Sequence, residues 1–91
     1  MARRVRLLLV EDDLQLLDTL PRLLHHAAPH LSVVECCSTA ADALAASLRG
    51  LEFEVALVDL SLPDLDGATL IAQLAQARPE VTFIAWTKLD T

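Results

Sequence analysis

Residues 55–67 read VALVDLSLPDLDG, and this stretch decides the fold. It opens on a short apolar run, Val55–Val58, which is followed at once by Asp59. A second apolar run, Val5–Val10, stops in the same way at residues 11–13, which read EDD. Short apolar runs bounded by turn residues are typical of buried strands. The sequence therefore places acidic side chains at the ends of two predicted strands.

The chemistry of this pattern depends on how the two strands are arranged. In an open parallel sheet, ligands bind just beyond the carboxyl ends of the strands. If the two predicted strands are neighbours, Glu11, Asp12 and Asp59 converge on one crevice. Three carboxylates that lie so close repel one another, so a divalent cation or a proton must compensate. The pattern predicts a site for a hard metal ion, with an attacking carboxylate beside it.

Strands alternate with helices along the rest of the chain, in the order β-α-β-α-β-α-β. Apolar residues at helical spacing, bounded by capping residues and prolines, predict the helices. This alternation implies right-handed crossovers and a parallel sheet that is covered on both faces. The predicted helices cover residues 13–28, 40–49 and 67–78, and the two remaining strands cover residues 31–36 and 81–86.

Two helices carry features that affect their geometry. Pro21 lies inside the first helix and removes an amide donor, so we expect a kink near Leu17 but no break. Gly50 follows the second helix and is predicted to end it in a left-handed conformation. The inner face of the second helix is assigned to Ala41, Leu44, Ala45 and Leu48.

Composition limits the class of protein. With 91 residues the chain is one small domain. Its net charge of -6 argues against direct binding of nucleic acid. No apolar run approaches the roughly 20 residues of a membrane span, and the acids at residues 11–13 interrupt the short apolar stretch that resembles a signal peptide. We expect a cytoplasmic protein without a membrane partner.

Cysteines and histidines suggest a zinc site, but the predicted topology argues against one. Cys36 and Cys37 are adjacent, so a disulfide between them would be strained, and we interpret them as small apolar residues at a strand end. His25, His26 and His30 lie at the amino ends of the strands. One strand length, about 17–20 Å, separates them from the cysteines.

Three segments together resemble a known family. Residues 7–13 read LLLVEDD, residues 58–67 read VDLSLPDLDG, and residues 81–87 read VTFIAWT. An acidic pair, a D-x-x-x-P-x-x-x-G segment and a strand that ends in threonine, in this order, resemble the receiver domain of two-component response regulators. The resemblance covers essentially the whole chain. It implies a flavodoxin-like fold, which is a three-layer, doubly wound parallel sheet.

The resemblance implies a role for each residue at the strand ends. Asp59 resembles the phosphoacceptor, whose carboxylate attacks the phosphoryl group of a phosphohistidine. Asp12 resembles the acid that binds Mg²⁺ directly, Glu11 the acid that reaches it through water, and the backbone carbonyl of Ser61 a further ligand. Mg²⁺ prefers oxygen ligands and keeps several waters, which suits this set. Thr87 resembles the switch hydroxyl that donates a hydrogen bond to the phosphoryl group.

The loop after Asp59 also carries residues that we interpret as structural. Pro63 stiffens the loop, and Gly67 allows a close approach where the third helix begins. Asp64 and Asp66 are interpreted as loop and capping acids, not as metal ligands.

The chain departs from the family pattern at its end. A complete receiver continues for one more helix, strand and helix, and its fifth strand carries a lysine, so residues 1–91 are expected to form a receiver that is incomplete at the C-terminus. Lys88 is the only lysine in the chain and is a weak candidate for that role. Without a fifth strand, residues 81–86 form an exposed apolar edge, which a partner or a second copy would cover by self-association. Trp86 is bulky for its position and is assigned to packing.

The function that the resemblance implies is a phosphorylation-dependent signalling switch. The resemblance implies that Asp59 accepts a phosphoryl group from a histidine kinase or phosphotransfer protein with Mg²⁺, by self-catalysed transfer and with slow autodephosphorylation. Effector domains beyond the receiver are common in this family. A phosphorylation-independent, receiver-like interaction module is the alternative. A Mg²⁺-dependent phosphohydrolase ranks lower, because such enzymes place a second aspartate two residues after the nucleophile, where this chain has Ser61.

Overall fold

The computed structural model describes residues 3–87, and it confirms the predicted order of strands and helices. Element boundaries differ from the sequence prediction by at most a few residues. The strands are β1 (Val5–Val10), β2 (Leu31–Cys37), β3 (Val55–Asp59) and β4 (Thr82–Trp86). The helices are α1 (Leu14–Ala27), α2 (Ala40–Leu48) and α3 (Gly67–Ala77).

All four strands are parallel and lie in the order β2-β1-β3-β4. The first crossover runs from β1 to one side, and the next two run to the other side. Because crossovers of this kind are right-handed, α1 covers one face of the sheet, and α2 and α3 cover the other. This is the doubly wound, flavodoxin-like arrangement. The register pairs Val10 with both Cys37 and Val58, so β1, β2 and β3 end at the same edge.

The buried core fills the space between the sheet and helices α2 and α3. Side chains of a strand alternate between its two faces, so Leu8 and Val10 enter this core, whereas Leu7 and Leu9 are buried on the opposite face, which α1 covers. Burial on both faces explains why residues 7–10 of β1 are all apolar. The other members of the core cluster include Ala56, Val58, Leu70 and Leu74.

Helix α1 begins where the first acidic segment ends. Asp13 is its N-cap and accepts hydrogen bonds from the amides of Gln15 and Leu16. The helix continues through Pro21, as expected, and the kink near Leu17 stays a prediction.

The inner face that the sequence assigned to α2 is wrong at Ala41, Ala45 and Leu48, which are exposed, whereas Leu44 packs against the core as assigned. The buried residues of this helix are Ala40, Ala43, Ala46 and Ser47, whereas Leu48 is 87% exposed. Alanine occupies almost every side of α2, so its apolar pattern has no direction, and close packing against the sheet selects the face with the smallest side chains. Gly50 has φ +91°, which confirms the predicted left-handed conformation.

Strand β4 pairs only with β3 within residues 3–87, so it forms an edge of the sheet. Ile84 on this strand is 49% exposed. Self-association through this edge stays a prediction, and Lys88 lies outside the described residues. No helix in the described part of the chain is long and apolar enough to cross a membrane.

Candidate functional site

The turn after β1 is folded around Glu11. Its amide donates to the carbonyl of Cys37 (2.9 Å), which extends the pairing of β1 with β2 by one residue. Its side chain is completely buried, and Oε2 accepts a hydrogen bond from the amide of Asp13 (2.8 Å). Because Asp13 is also the N-cap of α1, the same turn holds the side chain of Glu11 in place and begins the helix.

Asp59 is the last residue of β3, and its side chain is also completely buried. Its Oδ1 accepts a hydrogen bond from the amide of Ser61 (2.9 Å). Its Oδ2 is buried and receives no hydrogen bond from the described residues. A buried carboxylate oxygen without a donor is unfavourable, so this atom requires a cation or a proton.

Glu11, Asp12 and Asp59 form an acidic cluster that can hold a metal ion. One carboxylate oxygen from each residue lies within 4.8 Å of the others. Glu11 and Asp59 are buried, whereas Asp12 is exposed, so an ion would reach the cluster from the Asp12 side. Three oxygen donors with an excess of negative charge fit a hard divalent cation. The predicted convergence of these acids is therefore confirmed, and which of them bind directly and which through water stays a prediction.

The described residues do not bring the cysteines and histidines together as a metal site; the acidic cluster is the one group of three or more candidate ligands there. Cys36 is exposed and Cys37 is buried. Burial raises the pKa of the Cys37 thiol to about 11. Because metals bind the thiolate and not the thiol, Cys37 acts as a small apolar residue, as the sequence indicated.

The start of α3 packs directly on the backbone of the phosphoacceptor candidate. The amide of Gly67 donates to the carbonyl of Leu60 (3.0 Å). A Cβ atom at Gly67 would lie 2.4 Å from the carbonyl oxygen of Asp59 and 2.6 Å from the Cα of Leu60. Only glycine fits at this distance, which confirms the close approach predicted for Gly67.

The two other acids of the loop both accept hydrogen bonds from helix amides. Asp66 is the N-cap of α3 and accepts from the amide and the hydroxyl of Thr69, and these bonds lower its pKa. Asp64 accepts from the amides of Ala40 (3.0 Å) and Ala41 (2.9 Å) in α2, and these bonds lower its pKa. The sequence indicated the role of Asp66, but it missed the contact of Asp64 with a helix 24 residues away.

The end of β4 lies beside Asp59. Trp86 pairs with Asp59 in the sheet register, and its carbonyl accepts a hydrogen bond from the amide of Leu60 (2.9 Å). The Trp86 side chain is half-buried, which agrees with a packing role, and its Nε1 is buried without an acceptor among residues 3–87. Thr87 follows Trp86 directly and is exposed. Because Trp86 is paired with Asp59, Thr87 lies at the same edge of the sheet as Asp59.

The sequence model of the response regulator receiver domain matches residues 7–91. The chain belongs to this family. As a receiver domain it is part of two-component signalling, and the residues that carry the resemblance lie together at the carboxyl edge of the sheet.

Individual relatives agree with this assignment. The receiver is 39% identical over 84 residues to the sensor protein TorS of Escherichia coli K12, a match that covers 91% of this chain but only 9% of the sensor. A CheY-like receiver from Methanospirillum hungatei JF-1 superimposes with a TM-score of 0.80 at 28% identity, over 97% of this chain and 67% of that one. RcsB from Salmonella enterica serovar Typhimurium, solved on the rprA promoter with the phosphomimetic BeF₃⁻, gives a TM-score of 0.80 at 25% identity, over 97% and 72%.

Proposed function

We propose that this receiver domain accepts a phosphoryl group on Asp59 in a Mg²⁺-dependent reaction and acts as a phosphorylation-dependent switch. The observation that carries the proposal is the buried Oδ2 of Asp59, which receives no hydrogen bond from the described residues and lies in a cluster with Glu11 and Asp12. A carboxylate oxygen that no donor occupies is available to a metal ion or to an electrophile.

The protein positions the nucleophile before any donor arrives. The amide of Ser61 holds Oδ1 of Asp59, which fixes the carboxylate plane and leaves Oδ2 for the reaction. In the transfer, a carboxylate oxygen of Asp59 forms a bond to phosphorus and the phosphorus–nitrogen bond of the phosphohistidine breaks. The electron pair of that bond stays on the nitrogen, and the imidazole leaves as a neutral ring because its other nitrogen already carries a proton. A fixed orientation of the attacking group lowers the barrier because the entropy of alignment has already been lost.

Asp12, Asp59 and the carbonyl of Ser61 would hold Mg²⁺ directly, and Glu11 would hold it through water. When bound, the ion neutralises charge on the phosphoryl oxygens. Thr87, at the end of the neighbouring strand, is the proposed switch hydroxyl. The chain's own residues thus provide the nucleophile, its orientation and the metal ligands for self-catalysed transfer and slow autodephosphorylation.

The proposed phosphodonor is a histidine kinase or a phosphotransfer protein. The similarity to a sensor protein and to a response regulator receiver domain protein supports a place in a phosphorelay. The proposal includes a cytoplasmic location, which agrees with the two free cysteines, since thiols persist in a reducing compartment.

Intact-mass measurement after treatment with a small phosphodonor tests the proposal. We expect one added phosphoryl group in the presence of Mg²⁺ and none after chelation. Asp59→Asn should abolish the addition of the phosphoryl group. Asp66→Asn, which replaces an exposed acid in the same loop, should not affect it. Labelling of Asp59→Asn at the level of the wild type would place the acceptor elsewhere. A wild-type chain that takes up no phosphoryl group would instead be a receiver-like interaction module.

The switch role of Thr87 has a separate test. Trp86, the single tryptophan, pairs with Asp59 in the sheet and directly precedes Thr87, so its fluorescence reports on this edge of the sheet. Addition of BeF₃⁻ with Mg²⁺ should change the fluorescence of the wild type. Thr87→Ala should reduce this change without preventing phosphorylation, whereas Thr82→Ala, at the other end of β4, should leave it unaltered. An unaltered response in Thr87→Ala would remove Thr87 from the switch.

A further inference from the structure

The carboxylate of Asp64 bridges the loop after Asp59 to the first turn of α2. Its Oδ1 accepts a hydrogen bond from the amide of Ala40 (3.0 Å), and its Oδ2 accepts one from the amide of Ala41 (2.9 Å). These are the first two amides of a helix, which have no partner inside the helix. Each oxygen of Asp64 therefore accepts a hydrogen bond from one amide of α2.

The N-terminus of α2 is completed by this contact. Thr39 satisfies the next two amides, since its hydroxyl accepts from Asp42 (3.1 Å) and its carbonyl from Ala43 (3.3 Å). Without Asp64, Thr39 alone would cap the helix, and two amides would lose their partner. A carboxylate is well suited to this position because its charge also interacts favourably with the helix dipole.

The loop has four other attachments. The amide of Ser61 donates to Asp59, the amide of Gly67 donates to Leu60, and Asp66 caps α3. The amide of Leu60 donates to the carbonyl of Trp86 in β4. These four bonds lie within the loop or join it to α3 and β4, whereas the bonds of Asp64 join it to α2.

That second helix leads back to the other half of the acidic cluster. Helix α2 follows β2, and the carbonyl of Cys37 at the end of β2 accepts the amide hydrogen of Glu11 (2.9 Å). The hydrogen bonds of Asp64 therefore connect the loop that carries Asp59 and Ser61 to the strand end that holds Glu11. The sheet register pairs Val58 with Val10 and so already places Asp59 near Glu11, but the register ends at Asp59. The hydrogen bonds of Asp64 add a second connection for the loop residues beyond that point.

We propose that Asp64 is a positioning residue for the metal site: its two hydrogen bonds to α2 hold the Ser61 carbonyl and the Asp59 carboxylate at the distance from Glu11 and Asp12 that an ion requires. The metal part of this inference rests on the proposed function. Partners that orient metal ligands commonly change metal affinity tenfold or more, so we expect the loss of Asp64 to weaken Mg²⁺ binding by about tenfold.

The test compares Asp64→Asn with Asp66→Asn in the full chain. Both substitutions remove the charge of a capping acid in the same loop, but only Asp64 contacts α2. An asparagine at position 64 retains one acceptor oxygen, so it satisfies one amide and not both. Mg²⁺ is titrated by Trp86 fluorescence at a temperature where circular dichroism shows each variant to be folded. We expect about a tenfold weaker affinity for Asp64→Asn and less than a twofold change for Asp66→Asn.

A second measurement does not depend on the metal. Amide hydrogen exchange at Ser61 reports the bond to Asp59 Oδ1 directly, and it should be faster in Asp64→Asn than in Asp66→Asn or the wild type, all without Mg²⁺. Unchanged exchange at Ser61 in Asp64→Asn would refute the positioning role, as would equal losses of Mg²⁺ affinity in the two variants. A wild type that does not bind Mg²⁺, together with faster exchange in Asp64→Asn, would refute the proposed function and leave the positioning of the loop in place.

Discussion

Ionisable side chains are arranged differently at the two ends of strands β1 and β3. At the amino edge of the sheet, Arg6 lies between two glutamates and forms salt bridges with Glu54 (3.1 Å) and Glu52 (2.6 Å), and Arg3 adds a further bond to Glu54 (3.1 Å). Positive and negative groups alternate there, and all of these side chains retain contact with solvent.

At the carboxyl edge, by contrast, the same two strands bring like charges together. Glu11 and Asp59 are completely buried, and Asp12 completes the cluster. At the amino edge each of these charged groups is paired with a group of opposite charge, so no ligand is needed to compensate them. The carboxyl edge gathers charges that repel one another, which costs stability and leaves a buried acceptor for a ligand to use. The difference supports the proposal that the carboxyl edge of the sheet is the functional end.

The largest effect that we expect is from a glycine at the carboxyl edge. In Gly67→Ala the added Cβ meets the backbone of Asp59 at 2.4 Å, so the helix or the loop must shift, and we expect a loss of about 3 kcal/mol in the free energy of unfolding. Gly50→Ala, at the amino edge, is the control: nothing lies within 4 Å of its added Cβ, and only its positive φ is penalised, by about 1 kcal/mol. Urea denaturation measures both, and equal losses would contradict the close approach.

Stabilisation of the fold by a metal ion should depend on residues at the carboxyl edge and not on residues at the amino edge. Mg²⁺ at 100 times its dissociation constant is expected to add about 2.7 kcal/mol to the free energy of unfolding of the wild type. Asp12→Ala should lose this increment, because it removes a ligand from the cluster. Glu52→Gln, at the amino edge, should keep it. Thermal melts with and without Mg²⁺ make the comparison, and the same increment in Asp12→Ala as in the wild type would exclude the cluster as the site.

Without metal, the charge repulsion itself can be measured. Asp59→Asn removes one of three like charges and a buried carboxylate oxygen without a donor, while its amide oxygen can still accept from Ser61. We expect this variant to be more stable than the wild type by about 1 kcal/mol in a chelator, as is often found when a buried charge is replaced. A less stable Asp59→Asn would show that the carboxylate contributes to the fold.

The smallest effect is the pH dependence of the amino edge. Hydrogen bonds from the side chain and then from the backbone of Arg6 lower the pKa of Glu54 to about 2. Between about pH 2 and the ordinary glutamate value of about 4.3, the unfolded chain binds a proton that the folded chain does not, so this contribution to stability is complete above that window and is lost as the pH falls through it.

Glu54→Gln removes this titration and should flatten the stability curve over that window relative to the wild type. Glu80→Gln, an exposed acid outside the Arg6 network, is the control and should keep the wild-type slope. Urea denaturation at a series of pH values compares the three proteins. Parallel curves for Glu54→Gln and the wild type would mean that the Arg6 pairs make no contribution in solution.

Local pattern in the sequence determined most of the fold and the centre of the site. Apolar runs that end in acids predicted β1 and β3 and the convergence of Glu11, Asp12 and Asp59, because parallel strands that are neighbours end at the same edge. The cap at Asp66 and the glycine at position 67 were also predicted, since both roles depend on residues that are close in sequence.

Only the tertiary structure decided three other features. The buried face of α2 was mispredicted because alanine lies on every side of the helix, so the neighbours in space, and not the pattern, select the face. The bonds of Asp64 to α2 and of Glu54 to Arg6 join residues 24 and 48 positions apart. Periodicity and capping act over a few residues, whereas such pairs exist only after the crossovers have placed separate segments side by side.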